Sequence, residues 1–281
     1  MKIFKLSTFF VLSLFLCAAV SAQKMKPEDV LAKHLEAIGT AETRAAVQSM
    51  MAVGEASVSF VTQKNQSAQG RIVLASAGEK NFWGVSLNAA DYPWEKFSFD
   101  GKKTKVAYVR AGQRTILGNF VLTNDMLLDD GLFGGTLSTS WALLRLTENK
   151  AKISSDGTKK IDGKETYALS YAAKGSGDVS VTLFFDKETF RHVRTEYTRT
   201  SSAGIGTNPN QSSGLRESRI KLTEDFSDYK TEKGLTLPHA YRVYYSISGQ
   251  SQTTEIEWKF TLTEFAFNQK LDDATFDAEA K

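Results

Sequence analysis

Residues 215–263 alternate apolar and polar side chains with a period of two. Tyr241, Val243, Tyr245 and Ile247 share one parity, and Arg242, Ser246 and Ser248 take the other. Further on, Ile256, Trp258, Phe260 and Leu262 alternate with Glu255, Glu257, Lys259 and Thr261. A helix cannot sort side chains this way, whereas a strand with one buried and one wetted face must. Glu232-Lys233-Gly234 supplies a turn, because Gly234 can take the positive φ that closes it. Pro238 has no N–H to give to a ladder, so it predicts an edge position or a bulge before the next strand begins. The stretch therefore reads as three consecutive antiparallel strands.

The chain begins with Lys2 and Lys5, an apolar run over 9–20, and Val20-Ser21-Ala22 before Gln23. That is the pattern of a secretory signal over 1–22, cleaved after Ala22. The run is short of the roughly 18–20 apolar residues a spanning helix needs. Leu16 precedes Cys17 where a lipoprotein signal carries a small residue. The expectation is a soluble, unlipidated exported protein. Cleavage removes two lysines and no acid, taking the formal charge from +3 to +1, so the basic balance gives no reason to expect nucleic acid. The single cysteine leaves as well, which excludes a disulfide and a cysteine nucleophile from the mature chain. With no linker or repeat in residues 23–281, one domain is expected, and a monomer.

Pro27, followed by Glu28 and Asp29, opens a helix whose stripe is Val30, Leu31, His34, Leu35 and Ile38, with Gly39 as its stop. A second helical piece is expected over 42–48. Strand patterns follow at 51–53 and 56–60, paired around a bulge at Gly54. Others run over 71–75, 81–87, 94–100 and 104–110. From 119 to 146 the period becomes helical, with Val121, Leu122, Met126 and Leu127 before Gly131-Leu-Phe-Gly-Gly135, and Trp141, Leu143, Leu144 and Leu146 after it. Strands resume at 151–154, 166–173, 179–186 and 192–200. A mobile Gly/Ser/Asn-rich loop is expected over 201–213, and a short closing turn over 271–276. The total is about ten to twelve strands, near the limit at which an open sheet curls.

Chemical motifs are sparse. His34, His192 and His239 fall on a helix, a strand and a loop without a second ligand at metal spacing, so no metal is expected. No nucleophile elbow, phosphate loop or dinucleotide fingerprint occurs, and no cofactor or catalytic residue is assigned. The glycines of 131–135 read as a hinge. Asp225 and Asp228, which flank Phe226, read as a solvated strand end rather than an acid–base pair. Asn65-Gln-Ser and Asn210-Gln-Ser match the short glycan-acceptor pattern. The four tryptophans and the many phenylalanines and tyrosines fill a core or line a cavity beneath a helical lid.

The exported leader, the helix Val30-Leu-Ala-Lys-His-Leu-Glu-Ala-Ile-Gly39, the β meander, the apolar insertion and the hairpin Phe226-Ser-Asp-Tyr-Lys230 to Gly234-Leu-Thr-Leu-Pro-His239 together resemble the LolA-like superfamily of periplasmic lipoprotein carriers. The resemblance implies a mainly β, antiparallel curved half-barrel with an N-terminal helix and a helical lid over the concave face. It implies carriage of a lipid or lipoprotein acyl chain without catalysis, with acylated protein or the inner- and outer-membrane lipoprotein machinery as partners. An envelope enzyme using the same cavity, a hydrolase or isomerase, and an envelope-stress sensor or interaction module are the competing readings. The candidate lining residues on the strands are Phe60, Leu74, Trp83, Phe185, Tyr245 and Trp258, with Trp141 and Leu144 on the lid. Intact-mass measurement of the exported chain should give an unmodified protein starting at Gln23; an acylated Cys17 or a retained leader contradicts this.

Overall fold

The computed structural model describes residues 25–62, 66–173, 177–201, 218–249 and 253–280. The leader, Asn65 and Asn210 lie outside them. Of the loop expected over 201–213, only Ser201 is described, as the last residue of a strand.

Helix α1, Pro27–Ile38, starts on its proline with Glu28 and Asp29 in the first turn. It buries Val30, His34 and Ile38, one turn apart on a single face, against β-structure. The short α2, Ala41–Ala45, is capped by Thr40, whose hydroxyl accepts from the Thr43 N–H at 3.2 Å; it ends earlier than the 42–48 expected.

Twelve strands follow: β1 Ser49–Phe60, β2 Ser67–Ala77, β3 Lys80–Leu87, β4 Trp94–Phe99, β5 Thr104–Val106, β6 Lys152–Ile161, β7 Lys164–Ala172, β8 Val179–Asp186, β9 His192–Ser201, β10 Ser218–Glu232, β11 Leu235–Ser248 and β12 Thr253–Phe267. They form one antiparallel sheet in the order β5-β4-β3-β2-β1-β12-β11-β10-β9-β8-β7-β6. The sheet is open, since its edges β5 and β6 do not pair, and it matches the half-barrel expected. Every connection joins neighbouring strands except one, in which the chain leaves β5 at one edge to enter β6 at the other; β1 and β12, far apart in sequence, pair side by side.

That connection, residues 107–151, crosses the apolar face. It contains α3, Ile116–Thr123, and α4, Met126–Asp129, then only single 3-10 turns at Gly135–Leu137 and Ala142–Leu144. The second helical piece expected around Trp141 is reduced to the turn at Ala142–Leu144, because Trp141 (φ −44°, ψ 122°) and Arg145 (φ −126°, ψ 24°) both leave the helical region, while Gly131, Gly134 and Gly135 take positive φ, at +75°, +85° and +53°, and end the first piece. A helix cannot run through three such residues.

The sheet wraps this segment. Phe133 meets Trp83 of β3 at 5.8 Å and Phe97 of β4 at 5.3 Å, and Trp141 stacks on His192 of β9 at 4.8 Å between centroids. The opposite face is wetted and carries a charged ladder across β9–β12. Arg194 and Arg242 both bind Asp225, Arg242 also reaches Glu257 at 2.9 Å, and Lys259 reaches Glu257 at 2.8 Å. Asp225 is thus an ion-paired mid-strand residue, not a solvated strand end.

Several local expectations need correction. Residues 51–60 form one strand, and the bulge at Val53/Gly54 lies in its pairing with β12. β5 stops at Val106 instead of 110. Pro238 sits inside β11, opposite Tyr229 on β10 and before pairing to β12 begins at Ala240, so β11 has one free side there. His239 is likewise in β11, buried, with Nδ1 3.1 Å from the Leu262 carbonyl. Lys233 and Gly234 both take positive φ, +48° and +85°, which closes the expected turn.

At the bulge a Cβ on Gly54 would lie 2.0 Å from the Thr261 carbonyl oxygen. Gly54→Ala should therefore cost about 1–3 kcal/mol, while Ser57→Ala should stay within about 0.5 kcal/mol. Urea denaturation of the two variants checks both values.

Candidate functional site

The concave face and the crossing segment enclose one apolar core, and the eight residues expected to line a cavity are distributed along it. Phe60 is half-buried, edge-to-face with Tyr92 at 5.7 Å. Trp83 stacks on Phe97 at 4.6 Å, and with its cross-strand neighbour Leu74 it borders a void of about 20 Å³. Phe185 packs on His34 at 4.8 Å, Tyr245 on Phe120 at 5.8 Å, and Trp258 donates its Nε1–H to the Tyr92 hydroxyl at 3.2 Å. Trp141 and Leu144 line a separate cleft of about 60 Å³ with Ile38, Arg44, Leu235 and Leu237. Leu144 is 42% exposed at its mouth, whereas Trp141 is fully buried. The eight do not meet around one space. Trp141 and Leu144 share the cleft, Leu74 and Trp83 share the small void, and the other four are packed elsewhere.

A larger groove of about 580 Å³ lies where Asp225, Arg242 and Lys259 line it, on the charged face. Those side chains are already paired in the ladder, so the groove offers charges of both signs beside apolar surface from residues such as Ile161, Val193 and Ala240.

The interior also carries buried polar groups, and these tie the crossing segment to the sheet. On β10, Glu224 accepts from the Gly134 N–H at 2.7 Å, the Tyr241 hydroxyl at 2.6 Å and the Tyr197 hydroxyl at 2.7 Å. On β4, Glu95 accepts from the hydroxyl of Thr115, the N-cap of α3, at 2.5 Å, and from Tyr92. Asn81 of β3 donates to the Leu128 carbonyl at 2.8 Å, and Tyr171 of β7 donates to Asp130 at 3.1 Å. Trp141 donates to His34 Nε2 at 3.1 Å, while His34 Nδ1 faces the Phe190 carbonyl at 3.0 Å. The segment is thus pinned at both ends and in the middle.

Glu95 and Glu224 were not foreseen. The signal was present: Glu95 shares strand parity with Phe97 and Phe99, and Glu224 with Leu222 and Phe226, so each acid stands on the buried face. His34 and His192, read as unrelated, come together with ring centroids 6.2 Å apart. Among the described residues there is no group of three or more His, Cys, Asp or Glu side chains that could hold a metal ion.

Burial pushes Glu95 and Glu224 each up to about 7. Both carboxyls therefore hold their protons in the folded chain where an unfolded chain has lost them. Their contribution to stability is full below the ordinary value of about 4.5 and is lost as pH rises through about 7. Burial acts oppositely on the imidazoles, pushing His34 down to about 4 and lowering His192 as well. Stability that depends on the neutral rings is full above about 6.5 and falls as pH drops through the folded value. Between pH 5.5 and 8.5, Glu224→Gln should remove about 2 kcal/mol of the wild-type loss of stability. Urea melts at the two pH values measure this, and an unchanged loss contradicts the assignment.

No family model matches the chain, and no curated protein matches it. Among solved structures it is similar to a LolA superfamily protein from Nitrosomonas europaea, at 13% identity and a TM-score of 0.47, covering 90% of this chain and 97% of that one. It is also similar to an outer membrane lipoprotein-sorting protein domain from Vibrio parahaemolyticus, at 12% identity and a TM-score of 0.44, covering 89% and 96%. A third likeness, at 11% identity and a TM-score of 0.40, is to a DUF1329 family protein from Desulfovibrio piger, covering 89% and 96%.

Proposed function

We propose that this chain is a non-enzymatic periplasmic binding or carrier protein. Its ligand is apolar, a lipid or a lipoprotein acyl chain, held between the curved sheet and the segment that crosses it. One observation carries the reading: the apolar face of the sheet is covered by a segment with little regular structure of its own, and an apolar cleft opens at that segment's border. The cleft, about 60 Å³, is far smaller than the roughly 300–1,000 Å³ of ordinary ligand sites. Ligand entry therefore requires part of the segment to give way. The part that borders the cleft, around Thr136 to Leu144, together with the positive-φ Gly134 and Gly135 before it, is the piece that moves. A ligand chain then replaces the segment's apolar contacts with its own, so the exchange of buried surface is nearly balanced and binding is reversible.

The absence of catalysis is supported by how the interior polar groups are used. Glu224 accepts three hydrogen bonds, and both nitrogens of His34 face partners. These groups are spent on holding the fold and none is poised beside an accessible reacting position.

Leu144→Ala should weaken binding of a fluorescent fatty-acyl probe several-fold while leaving the urea midpoint almost unchanged, because Leu144 is 42% exposed. Trp83→Ala, away from the cleft, should instead lose about 3–5 kcal/mol of stability. If the delipidated wild-type chain binds no such probe, the carrier reading fails.

A further inference from the structure

The polar ties are not equivalent. Glu95 and Asp130 hold the segment through side chains and Asn81 through the Leu128 carbonyl, whereas Glu224 holds the backbone N–H of Gly134, among the positive-φ glycines. Gly134, at φ +85°, donates its N–H to Glu224 Oε1 at 2.7 Å. The carboxyl already holds the Tyr197 and Tyr241 hydroxyls, so the backbone N–H completes a set of three donors. Gly135 follows at φ +53°, pressed so closely on β9 and β10 that a Cβ there would lie 3.0 Å from His192 Nδ1 and 3.1 Å from the Phe226 ring.

His192 is fully buried, and its Nε2 lies 2.9 Å from Thr195 Oγ1. Its Nδ1, aimed at Gly135, has no hydrogen-bond partner among the described residues. The next residue, Thr136, lines the apolar cleft, and its buried hydroxyl also lacks a partner among the described residues. The carboxyl and the unused imidazole nitrogen thus bound a slot one residue along the chain from the cleft-lining Thr136. In this structure the chain's own Gly134-Gly135 backbone fills it.

We infer that this slot is an amide-recognition site, and that the ligand is an amphiphile carrying a secondary amide next to its apolar chain. The inference rests on the carrier reading above and names the ligand class for the same interior. When the segment withdraws, Glu224 loses the Gly134 N–H. A bare hydrocarbon would leave the buried carboxyl short of a donor, which is unfavourable. A ligand amide N–H replaces the lost donor in kind. With the Thr195 hydroxyl donating to Nε2, His192 carries its proton on Nδ1 and donates to the ligand carbonyl. The apolar chain then continues past Thr136 into the space that Trp141 and Leu144 border. The glycine pair acts as a resident stand-in for the ligand, so its hold on the slot sets the affinity.

The experiment is calorimetric titration of the delipidated exported chain with three matched probes: N-dodecylacetamide, its N-methylated form and dodecyl acetate. The secondary amide should bind at least tenfold tighter than the other two, which lack the N–H. Glu224→Met should abolish that preference and, because it also releases the Gly134 N–H, tighten dodecyl acetate several-fold. Gly134→Ala places a side chain at a strained positive φ with no atom within 4 Å of the added carbon. It should loosen the stand-in and tighten all three probes several-fold. Equal wild-type affinity for the amide and the ester overturns the amide inference and leaves the carrier reading standing. Binding of none of the probes removes both. Should Glu224→Met fail to fold, the wild-type preference together with the Gly134→Ala response decides the matter.

Discussion

The crossing from β5 to β6 is the constraint on which the rest of the structure depends. These strands are the two edges of a twelve-stranded sheet, separated along it by eleven strand spacings, or roughly 50 Å if the sheet were flat. Residues 107–151 must bridge that separation, and the cheapest route is over the face that needs covering. The same topology that makes the sheet open thus supplies its cover. A meander of this size without the crossing would expose the aromatic face of nearly every strand, including Trp83, Phe97, Phe185, Tyr241, Trp258 and Phe260.

A cover with little regular hydrogen bonding brings many backbone groups into an apolar interior, and each needs a partner. The sheet provides them from positions that would otherwise be hydrophobic. Asn81, Glu95 and Glu224 take the place of apolar residues on the buried parity of their strands and meet Leu128, Thr115 and Gly134. Burial disfavours the charged form of both acids, which pushes each carboxyl up to about 7. The arrangement holds the segment in one register while keeping it less firmly bound than a strand: hydrogen bonds to a few side chains can be exchanged singly, whereas a strand ladder separates as a unit.

Much of this was legible in the residues. The alternation over 241–247 and 256–262 defines strand and face together, because a one-residue slip would turn Tyr245 and Trp258 outward. Gly54 marked a bulge, and Gly234 a turn. The apolar character of 119–146 was visible too, but not its conformation. Its spacing is helical, yet Gly131, Gly134 and Gly135 take positive φ, where a Cβ on Gly131 or Gly135 would press on Ser140 or His192 and the Gly134 N–H is held by Glu224. Such contacts link residues far apart in sequence. The pairing of β1 with β12 has the same character. For Glu95 and Glu224, side-chain charge suggested solvent while strand parity placed them inside; parity was the better guide. Of the eight expected lining residues, Trp141 and Leu144 border the cleft, whereas Trp258 and Tyr245 show how the same alternation serves simple packing.

The central claim is that the part of the segment beside the cleft opens from a sheet that stays intact. Native-state hydrogen exchange tests it most directly, by comparing amides of residues 126–144 with those of 253–262 in β12. The account predicts that the segment exchanges through local opening, well before β12, and that a bound long-chain amphiphile alters its rates while leaving β12 unchanged. Equal, globally limited protection in both regions, unaffected by any such amphiphile, would contradict it.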